Sequence, residues 1–279
     1  MSPDGKSRGV RAEIAERAQR LEIPFNRFGI DPFGVSRSHV ERAFGIACWF
    51  YRHYFGVNVH GIHNVPTRGR AMLIGNHSGG VALDAAMVMC SLLLEMEPPR
   101  LVHSMVEKFI PKVPFLSLWT KRCGQVTGLP EHALQLLEAD RPLLVFPEGS
   151  RGTAKLFPER YSLVDFGSGF MRLALQTKSP IVPFAFLGGG AAIPTIHNSE
   201  ALGRLIGAPY VPITPYGLAL PLPVRLDIVY GPPLTFEGDG RENDDVIFGY
   251  VDQVKSTIAS LIERGRRIRA GTLALRDAD

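Results

Sequence analysis

From Ala71 onward the chain alternates short apolar runs with longer segments of helical texture, and this alternation limits the fold more than any other feature. Met72–Gly75, Leu101–Met105, Gln125–Thr127, Leu143–Phe146, Ile181–Leu187 and Val224–Tyr230 read as strands. Val81–Glu95, Phe115–Arg122, Pro130–Ala139 and Ser168–Thr177, lying between them, read as helices. Strands and helices in this order predict an α/β domain with a mixed, largely parallel sheet flanked by helices. Val57–Val59 adds a short strand at the front, and Asp244–Arg264 closes the chain as an amphipathic helix with a basic end.

Two further helices precede the domain. Val10, Ile14, Ala18 and Leu21 recur at helical spacing within Val10–Ile23, and Ser36–Phe55 carries a broad apolar and aromatic surface. We therefore divide the chain into an N-terminal helical appendage, residues 1–56, and an α/β domain, residues 57–279. Gly188–Gly217 is rich in Gly, Pro and Ala and is expected to be irregular. A loop of that length inside a domain is often functional.

Composition removes several classes. With 45% hydrophobic and 21% charged residues, the chain can bury a large core and is not disordered. Its three cysteines, Cys48, Cys90 and Cys123, lie far apart with no Cys-x-x-Cys pair. They form neither a disulfide framework nor a zinc motif, and they read as buried thiols in a reducing compartment. A net charge of +4 suits an anionic surface or substrate rather than a dedicated nucleic-acid binder. No stretch reaches the roughly 18–20 apolar residues of a membrane span, and the polar N-terminus is not a signal peptide.

Three segments beside predicted strands carry candidate chemistry, at the strand ends where open α/β sheets bind ligands. The first is Asn76-His77-Ser78-Gly79-Gly80-Val81-Ala82-Leu83-Asp84. An unperturbed imidazole titrates near neutrality, which makes His77 the natural general base of the set, and Asp84 could fix its tautomer and stabilise the imidazolium. On a continuous helix seven residues would separate the pair by about 10.5 Å, so the contact requires a fold-back, for which Gly79-Gly80 supplies a turn. Without that turn, His77 packs or caps and Asp84 only complements a helix dipole. The second segment, Phe146-Pro147-Glu148-Gly149-Ser150-Arg151, delivers an acid and a guanidinium close together. Arg151 suits an anionic group such as phosphate, whereas Glu148 could hold a substrate hydroxyl or lock Arg151. A turn with a local ion pair is the plain alternative. The third, Ile181-Val182-Pro183-Phe184, puts a Pro in an apolar run, which points to an edge strand or a neighbouring site.

In this order the segments resemble the glycerolipid acyltransferase family, which includes the bacterial lysophosphatidic acid acyltransferases. The resemblance rests on Asn76, His77 and Asp84, on Phe146 to Arg151 about seventy residues later, and on Val182-Pro183. Phe166 and Gly169 are similar to the Phe-Lys-x-Gly that precedes the family's next helix, and the match spans roughly residues 57–235. The sequence departs from the family in two places. Six residues, not four, separate His77 from Asp84, and Gly124-Gln125-Val126-Thr127-Gly128-Leu129 lacks the Arg associated with the acceptor's phosphate. Lys121 and Arg122, just before it, are candidate substitutes.

The resemblance implies direct acyl transfer from acyl-CoA or acyl-carrier protein to a lipid hydroxyl. His77 and Asp84 would be catalytic, and Glu148, Gly149, Ser150 and Arg151 would bind substrate. A backbone amide near Gly149 or in the His77 loop would face the oxyanion. No metal or other cofactor is implied. The acceptor by family default is lysophosphatidic acid. A mono- or diacylglycerol acceptor, or a non-catalytic lipid-binding protein on the same fold, are the alternatives. A Ser hydrolase would need Gly-x-Ser-x-Gly, which Gly167-Ser168-Gly169 and Gly149-Ser150 do not provide. Aromatic and basic residues interleave in Ser36–Phe55, the composition of an interfacial helix, and Arg264–Arg269 could touch anionic headgroups. The expected location is cytoplasmic, on a membrane surface.

Overall fold

The computed structural model describes residues 9–79, 83–106, 120–217 and 220–273. In chain order the elements are α1 (Val10–Gln19), α2 (Arg37–Trp49), β1 (Asn58–His60), β2 (Met72–Gly75), α3 (Leu83–Glu95), β3 (His103–Val106) and β4 (Gln125–Thr127). They continue with α4 (Pro130–Glu138), β5 (Leu143–Val145), the single turn α5 (Ser150–Thr153), α6 (Gly169–Thr177), β6 (Ile181–Leu187) and the short α7 (Gly189–Ala192). The chain closes with β7 (His197–Ser199), α8 (Glu200–Ile206), β8 (Val211–Ile213), β9 (Asp227–Tyr230) and α9 (Asp244–Arg269). Most of the expected Phe115–Arg122 helix, and the start of the Val81–Glu95 helix, lie outside the described residues.

Seven strands form one sheet in the order β1-β9-β6-β2-β5-β3-β4. All pairings are parallel except β6 with β9. This is the mixed, largely parallel sheet read from the sequence. Alternation along each strand divides the core in two. Leu73, Leu144, Val182, Phe184, Phe186, Ile228 and Tyr230 face α1, α2 and α3. Met72, Ile74, Leu143, Ile181, Ala185, Leu187 and Val229 face α4, α6 and α9. Helices therefore cover both faces, which is why these strands are apolar throughout rather than alternating. Cys48, Cys90 and Cys123 are free and buried.

Three expectations are corrected. Pro183 is not on an edge, because β6 lies between β2 and β9 with all seven of its residues buried. The Pro183 carbonyl accepts from Gly231 N at 2.8 Å, one residue past the end of β9. The missing N–H thus falls where that ladder has ended. Gly188–Gly217 is not irregular, since it folds into α7 and then an antiparallel pair, β7 and β8, bracketing α8. Ser36–Phe55 is not one regular helix, because α2 gives way to a π-helical turn at Phe50–Tyr54.

Gly75, the last residue of β2, is paired with Phe184, and a Cβ there would lie 2.2 Å from the Phe184 ring. Gly75→Ala is expected to cost about 1–3 kcal/mol through overpacking, read as a lower urea midpoint with unchanged slope. An unchanged midpoint would show that the ring can move aside.

Candidate functional site

The site lies at the carboxyl ends of β2 and β5, neighbouring strands inside the parallel portion of the sheet. Beyond Gly75, Asn76 extends the β2–β6 ladder with its side chain. Its Oδ1 accepts from Phe186 N at 2.8 Å, and its Nδ2 donates to Phe186 O at 3.1 Å. That fastening brings the chain to His77 in a fixed direction.

The next two residues turn. Gly79 has φ +91°, and a Cβ there would meet Lys155 O at 2.8 Å, so both conformation and space call for Gly. Gly80, the other half of the expected turn, lies outside the described residues. The outcome is the fold-back that the spacing demanded. His77 Nδ1 and Asp84 Oδ2 are 2.9 Å apart, and the Asp84 side chain is 1% exposed. Asp84 also accepts from Ser78 N at 3.2 Å and from Ala85 N at 2.8 Å. An acceptor-only carboxylate in that position assigns the proton to Nδ1 and leaves Nε2 as the basic nitrogen.

The loop after β5 supports the imidazole from below. Phe146 stacks on the His77 ring, with centroids 4.0 Å apart and 13° between planes. Gly149 adopts φ +56°, ψ −148°, a combination open essentially to Gly alone. This sharp turn returns the chain toward His77. At Gly152 a Cβ would lie 2.8 Å from His77 Cβ and 2.7 Å from Glu148 Cβ.

Glu148 is buried, and both its oxygens are occupied. Oε1 accepts from His77 N at 2.9 Å, and Oε2 accepts from Val164 N at 2.9 Å and pairs with Lys155 Nζ at 2.5 Å. Ser150 and Arg151 are exposed in the α5 turn, and Arg151 Nη2 donates to Asp165 O at 2.9 Å. Of the six residues singled out in the sequence, Asp84, from the first turn of α3, and Glu148, after β5, meet His77 directly, whereas Gly149, Ser150 and Arg151 follow Glu148 in the chain.

Residues 56–187 match the family model described as Acyltransferase. An uncharacterised protein of Mycobacterium tuberculosis is 32% identical over 281 residues, covering 95% of this chain and 77% of that protein. The chain belongs to the acyltransferase family. An uncharacterised Mycobacterium leprae protein is 33% identical, covering 89% of this chain and 71% of that one. A Bos taurus protein named DGAT1/2-independent enzyme synthesizing storage lipids is 24% identical over 76% of this chain and 65% of its own. In architecture the acyltransferase resembles the crystal structure of the 1-acyl-sn-glycerophosphate acyltransferase PlsC from Thermotoga maritima. The TM-score is 0.55, with 16% identity, over 92% of this chain and 81% of that one.

Several local expectations for this acyltransferase change. Glu148 does not lock Arg151, because Lys155 takes that place from the same loop. The Gly149 amide donates to Phe146 O at 3.0 Å and the Ser78 amide to Asp84, so neither is free for an oxyanion. Lys121 and Arg122 precede β4, which runs parallel to β3 and so to β5 and β2. They therefore sit at the opposite end of the sheet from His77, where Arg122 Nη1 donates to Gly34 O at 3.3 Å. They cannot replace the missing Arg at this site. Lys155 carried no motif signal, since one of its partners is the His77 carbonyl, far back in the chain, and the other is a carboxylate read as available to substrate. Among the described residues, no group of three or more His, Cys, Asp or Glu could hold a metal, and no helix is long and apolar enough to cross a membrane.

Proposed function

We propose that this acyltransferase moves a fatty acyl group from a thioester donor, acyl-CoA or acyl-carrier protein, to the hydroxyl of a glycerolipid. Lysophosphatidic acid is the leading acceptor. The observation that carries the reading is the 2.9 Å His77–Asp84 contact at the end of β2 in a chain of this family. His77 Nε2 takes the acceptor's hydroxyl proton as that oxygen attacks the thioester carbonyl. The tetrahedral intermediate collapses by breaking the carbon–sulfur bond, and the departing thiolate recovers the proton from the imidazolium. Asp84 stabilises that imidazolium while it exists. Arg151, exposed in the α5 turn that follows Glu148, would attract an anionic acceptor group. Glu148 acts on His77 rather than on the substrate.

A neutral mono- or diacylglycerol acceptor is the second reading. It is favoured by the absent Arg in Gly124–Leu129 and by relatives named for storage-lipid synthesis. The test is thiol release from oleoyl-CoA, with products identified by mass spectrometry. Lysophosphatidic acid, lysophosphatidylcholine, monoacylglycerol and diacylglycerol are offered separately, with His77→Ala as control. Phosphate-dependent turnover supports the first reading, and preference for uncharged acceptors supports the second. Binding of donor and lipid without turnover would reassign the protein as a non-catalytic lipid binder.

We further propose peripheral attachment to the cytoplasmic face of a membrane through Ile46, Trp49 and Phe50. All three are exposed on α2 and the π turn. Phe50 packs edge-on against Tyr54, centroids 5.3 Å apart, and Tyr54 Oη donates at 2.8 Å to the carbonyl of Pro221, between the exposed Leu220 and Leu222. Replacing Trp49 and Phe50 together by Ala is expected to lower partitioning onto anionic phospholipid vesicles roughly tenfold or more, from apolar area alone. Equal sedimentation of variant and wild type would remove this surface from consideration.

A further inference from the structure

The backbone of His77 is held on both sides. Its N–H donates to Glu148 Oε1 at 2.9 Å, and its carbonyl accepts from Lys155 Nζ at 2.8 Å. Lys155 and Glu148 then close the ring through their own 2.5 Å ion pair, with side chains 2% and 0% exposed. We infer that Lys155 is a positioning residue for the transfer reaction, a clamp that fixes the backbone of the base; this rests on the reading of His77 as that base.

Two contacts hold the His77 ring, Asp84 at Nδ1 and Phe146 on its face. Neither controls where the Cα–Cβ bond points. That direction follows from φ and ψ of His77, and the groups that report those angles are its own N–H and carbonyl. Lys155 and Glu148 engage those two groups and each other. The clamp is itself anchored. Asn198 Nδ2 donates to Ala154 O at 2.6 Å, and Phe157 N donates to Thr195 O at 2.8 Å, tying both sides of Lys155 to the segment around β7. Lys155 O also stands where a side chain at Gly79 would go.

Stability alone is a poor reason for such a pair. Burial pulls the Lys155 ammonium below its ordinary value, and the adjacent Glu148 carboxylate opposes that shift. A well-packed apolar pair of similar volume commonly does as well or better for folding. What an apolar pair cannot do is accept from one side of His77 and donate to the other. Supporting groups of this kind are what keep a reacting side chain within a fraction of an ångström of its working position.

The experiment compares Lys155→Met with the double variant Glu148→Gln/Lys155→Met, which leaves no unpaired buried charge. Both are assayed with oleoyl-CoA and whichever of the four acceptors the wild type uses. The imidazole protons of histidine-labelled protein are followed by NMR. Lys155→Met is expected to lower kcat about 100-fold, the effect of a base misplaced by about an ångström, with KM for donor and acceptor within about threefold. The double variant is expected to regain melting temperature without regaining kcat. In both, the low-field resonance of the His77 Nδ1 proton should broaden or vanish. A folded variant with kcat within threefold of wild type, or with that resonance unchanged, would overturn the clamp. Should the wild type transfer acyl groups to none of the acceptors, the acyl-transfer reading fails separately, and the resonance alone decides whether Lys155 holds the His77 ring.

Discussion

His77→Ala is expected to lower kcat about 10³-fold, within the 10²–10⁴ range typical of losing a positioned general base, with small changes in KM. That factor corresponds to about 4 kcal/mol of transition-state stabilisation. The hydroxyl of a glycerolipid is a weak nucleophile until its proton is removed, and Nε2 of His77 is the nitrogen left basic by the Nδ1–Asp84 contact. Asp84→Asn should approach the same loss with the imidazole still in place. The carboxylate accepts from His77 Nδ1 and from the amides of Ser78 and Ala85, whereas an amide side chain must turn an NH₂ toward one of these donors. With the NH₂ at the position that faces His77 Nδ1, the imidazole would favour the wrong tautomer. Steady-state kinetics of both variants beside a circular dichroism melt separates this from unfolding. Retention of more than a tenth of wild-type kcat by His77→Ala would move the base elsewhere.

The legible part of this molecule is the part set by burial on both faces. Met72–Gly75 and Ile181–Leu187 coincide with the strands residue for residue, because a run covered by helices on each side must be apolar throughout; Gln125–Thr127 coincides as well, although it is a half-buried edge strand with one apolar residue. The same logic fails for β7 and β8. Their three-residue strands are half exposed and include His197 and Pro212, so no period could be read from them. The His77–Asp84 contact was legible as a condition, since seven residues of straight helix would forbid it and a glycine turn would allow it. Lys155 was not legible at all. Its partners are the carbonyl of a residue far back in the chain and a carboxylate that looked available to substrate. Lys121 and Arg122 misled for a topological reason. They adjoin the relevant motif in sequence, yet a strand length and the parallel direction of β4 place them at the wrong end of the sheet.

Gly152→Ala is expected to be the most damaging change at the site that removes no functional group. Gly152 lies in the α5 turn, where a methyl would stand 2.7 Å from Glu148 Cβ, 2.8 Å from His77 Cβ and 3.2 Å from His77 Cδ2. None of these is the free end of a flexible side chain. Glu148 is fixed by His77 N, Val164 N and Lys155, and the His77 ring is fixed by Asp84 and Phe146. The turn must therefore move as a body, or the imidazole must leave its place. A displacement approaching 1 Å costs about 100-fold in rate when the reacting groups are otherwise intact, and overpacking adds about 1–3 kcal/mol of destabilisation. Both effects should appear, the first in kcat at a temperature well below the melt and the second in the urea midpoint. Gly167→Ala is the internal control. Its added methyl would have as its nearest neighbour Pro147 O at 3.9 Å, an ordinary contact on the same side of the site. If Gly152→Ala matched that control in rate, the close approach of α5 to His77 would not be what holds the base in position.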